Sequence, residues 1–128
     1  MTTLKINELS VGDWVLMNGE PAKALRLTMA GRTMFKGLSG QIYGSVGGDI
    51  SPLPIVPEIL EANGWQRNEE DEYMEYYGDP TSGIAHTKGT FHYRLETPEV
   101  SAVCHFVHQL QHALRLAGVE KEIVMPNK

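Results

Sequence analysis

Cysteine is nearly absent from the chain, since Cys104 is the single one among 128 residues. One thiol cannot form an intramolecular disulfide, and a zinc site built from several cysteines is excluded for the same reason. The first residues also lack a basic stretch followed by an apolar run of signal-peptide length. We therefore expect a reducing, cytoplasmic setting for this protein.

Long hydrophobic runs and a surplus of basic charge are absent too. The uninterrupted apolar stretches are only a few residues long, whereas a bilayer-crossing helix needs about 20 residues. Eleven Lys and Arg stand against sixteen Asp and Glu, which gives a net charge of −5. Sequence-independent binding to nucleic acid or to an anionic membrane needs a basic surface. The balance disfavours nucleic acid as a partner, and we expect no membrane partner.

The remaining composition is that of an ordinary globular protein, with 41% hydrophobic and 21% charged residues. A chain of this length fits one domain, which buries about two-thirds of the surface exposed by the unfolded chain. We predict a single α+β domain over residues 1–128. Its first part, 1–56, is expected to be β-rich and SH3-like, and 57–128 to hold a short helix, a hairpin sheet and a long helix.

Short strands separated by turn residues dominate the first part. Trp14 to Met17 precedes Asn18-Gly19, a dipeptide typical of a type I′ hairpin turn. Ala22 to Thr28 is the expected return strand, and further glycines separate two or three more extended pieces. Five short strands with this spacing predict a small antiparallel sheet, either a partly open SH3-like barrel or a curled sheet.

Helix signals stand at both ends of the second part. Pro57 suits a first helical turn and Asn63-Gly64 a helix stop. Between them and the last helix, four consecutive acids at 69–72 indicate a solvated hairpin tip. Thr97 and Pro98 resemble the cap and first residue of a long C-terminal helix that ends at Gly118. Apolar residues repeat with helical spacing from Val103 to Ala117, so we expect this helix to pack across a sheet.

Three histidines and the cysteine fall within this predicted helix. His105, His108 and His112 would project from one side of it, and their spacing can bring imidazoles together around zinc. No carboxylate that could act as a base stands between them, so ordinary boundary histidines are favoured over metal ligands. Cys104 and His108, four positions apart, would form the one nucleophile and base pair, and an inert, semi-buried cysteine is the favoured interpretation.

Other patterns carry little chemistry. Glycines at 44–48 lack the Lys-Ser/Thr ending of a phosphate-binding loop. Five aromatic residues of the predicted strands have acidic neighbours, which favours core and subunit-contact roles over base stacking: Tyr73, Tyr76, Tyr77, Phe91 and Tyr93. We predict a non-enzymatic protein with no catalytic residue, no resident metal and no cofactor.

Four blocks carry a resemblance that spans most of the chain. They are Ile6 to Val15, Ile50 to Ile55, Glu58 to Trp65, and the Phe-Val-His-Gln-Leu-Gln segment at 106–111. In this order they resemble a family of small proteins of unknown function encoded by phages and prophages of gut Bacteroidetes. The stretches 20–48 and 66–92 depart from the family's pattern. The resemblance implies a mobile-element context, in which association with a virus particle is open, and it transfers no catalytic residue.

The resemblance singles out His108 and Gln111 as a polar pair. They are three positions apart and could jointly hydrogen-bond a backbone segment of a sheet, which would lock the helix in place without any ligand. Recognition of a ligand or partner is the alternative interpretation.

Three functional hypotheses follow from the sequence. The leading one is a binding or assembly module that pairs with itself as a homodimer or with another phage or host protein. The second is an SH3-like module that contacts nucleic acid through a basic patch of Lys23, Arg26, Arg32 and Lys36. The third is a metal-binding protein that uses the three histidines of the last helix.

Overall fold

The computed structural model of the chain describes residues 8–27, 33–45, 50–78 and 82–126. The chain divides into two compact units, Met1–Leu53 and Pro54–Lys128. Each unit contains one five-stranded antiparallel sheet, and the second also contains two helices. The predicted α+β class is therefore confirmed, while the assignment of 1–128 to a single domain stays a prediction.

The first unit is an antiparallel sheet with the strand order β4-β3-β2-β1-β5. Its strands are β1 (Trp14–Met17), β2 (Glu20–Arg26), β3 (Thr33–Gly37), β4 (Ile42–Ser45) and β5 (Ile50–Pro52). The five predicted strands are thus present, but within the described ranges the sheet is open and does not close into a barrel.

The β1–β2 turn forms as its residues predict. Asn18 and Gly19 adopt φ angles of 52° and 82°, the two positive values that a type I′ turn requires. The turn sets the register Val15 opposite Ala22, so alternate side chains of each strand reach one face of the sheet. That face carries a core of six apolar side chains: Val15, Met17, Ala22, Ala24, Phe35 and Ile50.

The chain enters β1 through a tight turn over Ser10 to Asp13. Gly12 has a φ of 95°, and the buried Asp13 carboxylate accepts a 2.8 Å hydrogen bond from the Ser10 N–H. The Gly12 N–H donates to the Ala24 carbonyl, and the Ala24 N–H donates to the Asp13 carbonyl, at 2.8 and 2.9 Å. The Ser-Val-Gly-Asp segment of the first block therefore ties the start of the sheet to β2.

The second unit is a sheet with the strand order β10-β9-β8-β7-β6 and two helices. Its elements are α1 (Pro57–Ala62), β6 (Gln66–Glu70), β7 (Met74–Gly78), β8 (Gly83–Thr87), β9 (Tyr93–Glu96), β10 (Ser101–Cys104) and α2 (Val107–Leu116). Helix α1 packs against β6, and α2 packs against β9 and β10. Consecutive strands are neighbours, so the sheet is a simple meander.

The prediction of a helix from Thr97 to Gly118 is wrong in its first half. Thr97 pairs with Val100 across the turn Pro98-Glu99, with the Thr97 N–H donating to the Val100 carbonyl at 2.9 Å. The same residues that begin helices also begin turns, because proline fixes φ for both. Ser101–Cys104 then forms β10, and α2 has 10 residues. Val103, predicted in the helix core, is an exposed residue of this edge strand.

Asn63 connects the end of α1 to the C-terminal segment. Its side-chain amide donates to the Ile59 carbonyl at 2.7 Å and to the Val124 carbonyl at 2.8 Å, and it accepts from the Val124 N–H at 2.8 Å. Gly64 follows with a φ of 92°, which ends the helix as expected. The segment after α2, predicted as a strand or a tail, is held in place, with Ile123 buried.

Neither helix of the described residues has the length and apolar composition that crossing a bilayer requires.

The acidic run was predicted at a hairpin tip, and its last two members, Asp71 and Glu72, lie in the β6–β7 turn. The Asp71 carboxylate accepts hydrogen bonds from the N–H groups of Tyr73 and Met74, and these bonds lower its pKa.

Candidate functional site

An apolar cleft of about 630 Å³ lies in the second unit, where the β8–β9 turn meets the start of α2. Its apolar walls are Pro54, Phe91 and Phe106, and the rest of the lining is Gly89, Thr90, His92 and His105. None of these lining residues is an Asp, Glu, Lys or Arg. Phe91 contributes to the lining although 73% of its surface is exposed to solvent. A cleft with this lining suits an apolar group and a few hydrogen bonds.

Two histidines meet in the cleft. The Nε2 atom of His105 lies 2.9 Å from the Nδ1 atom of His92, and the planes of the two rings make an angle of 67°. The backbone on both sides of this pair is fixed by hydrogen bonds. The His105 N–H donates to Gln109 Oε1 at 2.8 Å, and the His105 carbonyl accepts from the Ile55 N–H at 3.2 Å. The His92 N–H donates to Thr90 Oγ1 at 3.2 Å.

A buried polar network supports the turn that carries Phe91 and His92. Glu75, His86 and Tyr93 are cross-strand neighbours on β7, β8 and β9. His86 places Nδ1 2.7 Å from Glu75 Oε1 and Nε2 2.9 Å from the Thr90 carbonyl oxygen. Its ring stacks on Tyr93 at a centroid distance of 4.1 Å. The His86 ring therefore connects the Glu75 carboxylate to the Thr90 carbonyl of the turn.

Glu75 is an ionised carboxylate inside this network. Burial by itself raises its pKa, but hydrogen bonds from His86 and from Arg67, whose Nη1 atom is 2.7 Å from Oε2, outweigh burial and lower it. The same carboxylate, together with burial, affects the neighbouring phenols. The pKa values of Tyr77 and Tyr93 are raised to about 12, first by burial and then by the charge of Glu75.

The structure separates the three histidines that were predicted on one helix face. His105 precedes α2 and pairs with His92, whereas His108 and His112 lie on α2, with ring centroids 5.9 Å apart. Over residues 8–27, 33–45, 50–78 and 82–126, no group of three or more His, Cys, Asp or Glu side chains is placed to hold a metal ion. The predicted three-histidine arrangement is therefore wrong, because β10 takes up what was predicted as the first turns of the helix.

The polar pair His108 and Gln111 lies on the buried side of α2. Both are buried, which corrects the expectation of an exposed or semi-buried histidine side, and the His108 ring stacks on Phe106. The interpretation that the pair locks the helix to the sheet stays a prediction. Gln109 has a role that the sequence analysis missed, since its Oε1 accepts from the N–H groups of both His105 and Phe106 at the start of the helix. This is the glutamine half of a capping box.

Cys104 and His108 do not lie on one helix, as the predicted nucleophile and base pair required. Cys104 lies in β10, not on the helix, and 2% of its surface is exposed. Burial raises the pKa of its thiol to about 11, so the thiolate that nucleophilic chemistry needs is scarce at neutral pH. The favoured interpretation of an inert cysteine agrees with this environment.

Three members of the predicted basic patch share one face of the first sheet. Lys23 and Lys36 are direct cross-strand partners, and Arg26 lies on the same face because it pairs with Met34, two residues before Lys36. The Lys23 Nζ atom is 6.0 Å from the centroid of the Trp14 ring. Arg32, the fourth member, lies outside the described residues.

The sequence analysis missed the pairing of His92 with His105 and the network of Glu75 and His86. The 12 residues between the two paired histidines form a strand, a turn and a second strand, so no helical or strand period connects them. A prediction of a turn at Pro98-Glu99 would have implied that β10 pairs with β9. That pairing places the two histidines at the same end of the sheet.

Comparison with known proteins returned no match. No protein-family model matches the chain, and no curated protein and no solved structure matches it either.

Proposed function

We propose that this protein is a non-enzymatic binding module that accepts an apolar side chain of a basic protein partner in the cleft of its second unit. The observation that carries the proposal is the exposed Phe91 in a cleft whose lining residues include no Asp, Glu, Lys or Arg. Phe91 is exposed beside a cleft with apolar walls, and aromatic residues are enriched at binding hot spots.

The charge of the second unit indicates the chemistry of the partner. Pro54–Lys128 contains six basic and twelve acidic residues, a net charge of −6, whereas Met1–Leu53 contains five and four. A negative field attracts a basic partner and speeds its encounter with the cleft. The same field opposes a homodimer that would bring two such clefts face to face. We therefore favour a different protein, with Lys or Arg around an apolar anchor, over a second copy.

A labelled peptide tests this proposal. We expect acetylated Lys-Lys-Phe-Lys-Lys to bind more tightly than Lys-Lys-Ser-Lys-Lys and Glu-Glu-Phe-Glu-Glu in fluorescence anisotropy at low salt. Phe91→Ser should weaken binding about tenfold, because it removes one buried aromatic contact. Tyr73→Ser is the matched control, since Tyr73 is 69% exposed in the same unit but lies at the β6–β7 turn.

Two outcomes would overturn the proposal. Equal binding of the Phe and Ser peptides would show that charge alone attracts them. Equal losses of peptide affinity in Phe91→Ser and Tyr73→Ser would show that the peptide does not bind in the cleft. Light scattering tests whether the occupant is a second copy of the chain. A homodimer that dissociates in Phe91→Ser would show that it is, and would contradict our choice of a different protein.

The phage or prophage context of gut Bacteroidetes and a cytoplasmic setting belong to the same proposal. The four blocks of the resemblance support the first. The single cysteine, Cys104, which is free and buried, supports a reducing compartment.

A second candidate function is contact with nucleic acid through an SH3-like first unit. It is favoured by the placement of Lys23, Arg26 and Lys36 on one face of the sheet. Three phosphate contacts predict a slope of about −2 for log affinity against log salt with single-stranded DNA. Lys23→Ala with Lys36→Ala should flatten that slope, and Arg94→Ala in the second unit should not. Absence of binding at low salt would remove this candidate.

A further inference from the structure

The pair of His92 and His105 brings two ring nitrogens together at the cleft. The His92 Nδ1 and His105 Nε2 atoms lie 2.9 Å apart, within hydrogen-bond distance, and the ring centroids are 4.7 Å apart. In a neutral pair one nitrogen donates its proton to the lone pair of the other. With the proton placed on the far nitrogen of the same ring, both facing nitrogens present lone pairs to a common point.

That separation matches two ligands of one metal ion. Bonds from a divalent transition metal to imidazole nitrogen are about 2.1 Å long, so two neighbouring ligands at angles near 90° to 110° lie about 3 to 3.4 Å apart. The observed 2.9 Å is a few tenths of an ångström shorter, a difference that small ring rotations can supply. Imidazole is a preferred ligand of Zn²⁺, Cu²⁺ and Ni²⁺.

The structure also fixes the backbone that carries both rings before any ion arrives. Gln109 Oε1 and the Ile55 N–H hold the backbone of His105, and the Thr90 hydroxyl accepts from the His92 N–H while donating to the Thr87 carbonyl at 2.7 Å. The His105 ring is also packed edge-on against Phe106. Rigid first ligands reduce the entropy lost when a metal binds.

From this geometry we propose that His92 Nδ1 and His105 Nε2 form a two-histidine site for a divalent transition-metal ion at the apolar cleft. The proposal stands on the histidine geometry and does not depend on what occupies the cleft. In the described part of the chain no cluster of three His, Cys, Asp or Glu side chains forms, so the remaining coordination positions belong to water or to an exogenous donor. Binding requires each ring to carry its one proton on the nitrogen that faces away, with no net proton release from a neutral pair.

An open site of this kind selects its ion by intrinsic affinity. Because geometry contributes little with two protein ligands, Cu²⁺ should bind more tightly than Ni²⁺ or Zn²⁺, as the Irving–Williams order predicts. Exchange should be fast, since water fills the other positions.

The test is a titration of the full chain with Cu²⁺ and, separately, with Zn²⁺. We expect one ion per chain by calorimetry, nitrogen couplings in the electron paramagnetic resonance of the Cu²⁺ form, and shifts of the His92 and His105 ring protons on Zn²⁺ addition. His92→Asn and His105→Gln should each weaken Cu²⁺ binding more than about tenfold. Loss of a group that only orients a metal ligand already costs about that much, and each of these substitutions removes a ligand itself. His112→Gln is the control, because His112 lies on α2 next to His108.

Amide spectra of each variant establish that it folds. Affinity unchanged in both His92→Asn and His105→Gln would overturn the site, and so would an equal loss in His112→Gln. A folded wild-type chain that binds no Cu²⁺ would overturn it as well.

Discussion

The described part of the first unit buries two polar side chains, Asp13 and Thr33, whereas the described part of the second unit buries six. Those six are Asn63, Glu75, Ser82, His86, His108 and Gln111. Burying polar groups costs free energy unless each is hydrogen-bonded, and the side chains of Asn63, Glu75 and His86 form hydrogen bonds that connect separate elements of the second unit. The cleft is one of the features they position, through the contact of His86 with the Thr90 carbonyl.

The first unit keeps its main polar cluster at the surface. Glu20 accepts hydrogen bonds from the Tyr43 hydroxyl and from the N–H and hydroxyl of Ser39, which lower its pKa, and the bond from Tyr43 raises the pKa of that phenol. Its carboxylate lies over Gly37, where a Cβ atom would come within 2.6 Å of it. This cluster links β2 to β4 and to the β3–β4 turn without entering the core. We therefore expect polar substitutions to change the free energy of unfolding strongly in the buried network of the second unit and weakly in this surface cluster.

The largest effect is expected for Glu75→Ala. The substitution leaves His86 without its carboxylate partner in a buried site, and breaking such a pair costs about 3 kcal/mol in the free energy of unfolding. Urea denaturation measures the change. Glu96→Ala is the matched control, because Glu96 pairs with Arg94 at 2.6 Å on the surface of the same sheet and its loss should cost less than about 0.5 kcal/mol. Equal losses of unfolding free energy in Glu75→Ala and Glu96→Ala would mean that the buried network stabilises the fold no more than a surface ion pair does.

Asn63→Ala should have the next largest effect. It removes two hydrogen bonds that join the end of α1 to Val124 in the C-terminal segment and one to the Ile59 carbonyl within the helix, and we expect a loss of about 2 kcal/mol in the free energy of unfolding. The segment should also become sensitive to trypsin at Lys121. Asn63→Asp keeps the acceptor for the Val124 N–H and should give an intermediate loss. An unchanged cleavage rate in Asn63→Ala would show that the segment is held by its apolar side chains alone.

The pH dependence of stability sharpens the comparison further. The pKa of Glu75 in the folded state is below the ordinary value of 4.5, so its contribution to stability is fully present above that pH and is lost as the pH falls through the folded-state pKa. In Glu75→Gln the free energy of unfolding should therefore decline less steeply on acidification. A parallel decline in both proteins would contradict the role assigned to the carboxylate.

The smallest effect is expected for Gly37→Ala in the first unit. The new methyl group displaces the Glu20 carboxylate, which is the mobile end of a side chain, so stability should change little. The pKa of Tyr43 should fall back toward 10.0, and carbon-13 titration of the tyrosine rings measures it. Gly44→Ala is the control, since nothing lies closer than 4.0 Å to its added Cβ atom. An unchanged Tyr43 pKa in Gly37→Ala would show that the Glu20 carboxylate does not control the pKa of this phenol.

Local signals explain which parts of the fold could be predicted. The Asn18-Gly19 turn, the Pro57 helix start and the Gly64 stop depend on a few adjacent residues, and each forms as expected. The Thr97-Pro98 segment was ambiguous, because the same dihedral angles begin a turn and a helix. The cleft could not be predicted, since residues 54, 89–92 and 105–106 meet only once the strands pair.

The central claim is that binding takes place in the cleft of the second unit and not on the basic face of the first. Amide chemical shifts of the full chain, followed during titration with the Lys-Lys-Phe-Lys-Lys peptide, test it most directly. We predict shifts concentrated at residues 89–92 and 105–106, which line the cleft. Shifts concentrated on β1, β2 and β3, or spread evenly over acidic residues of both units, would contradict the account.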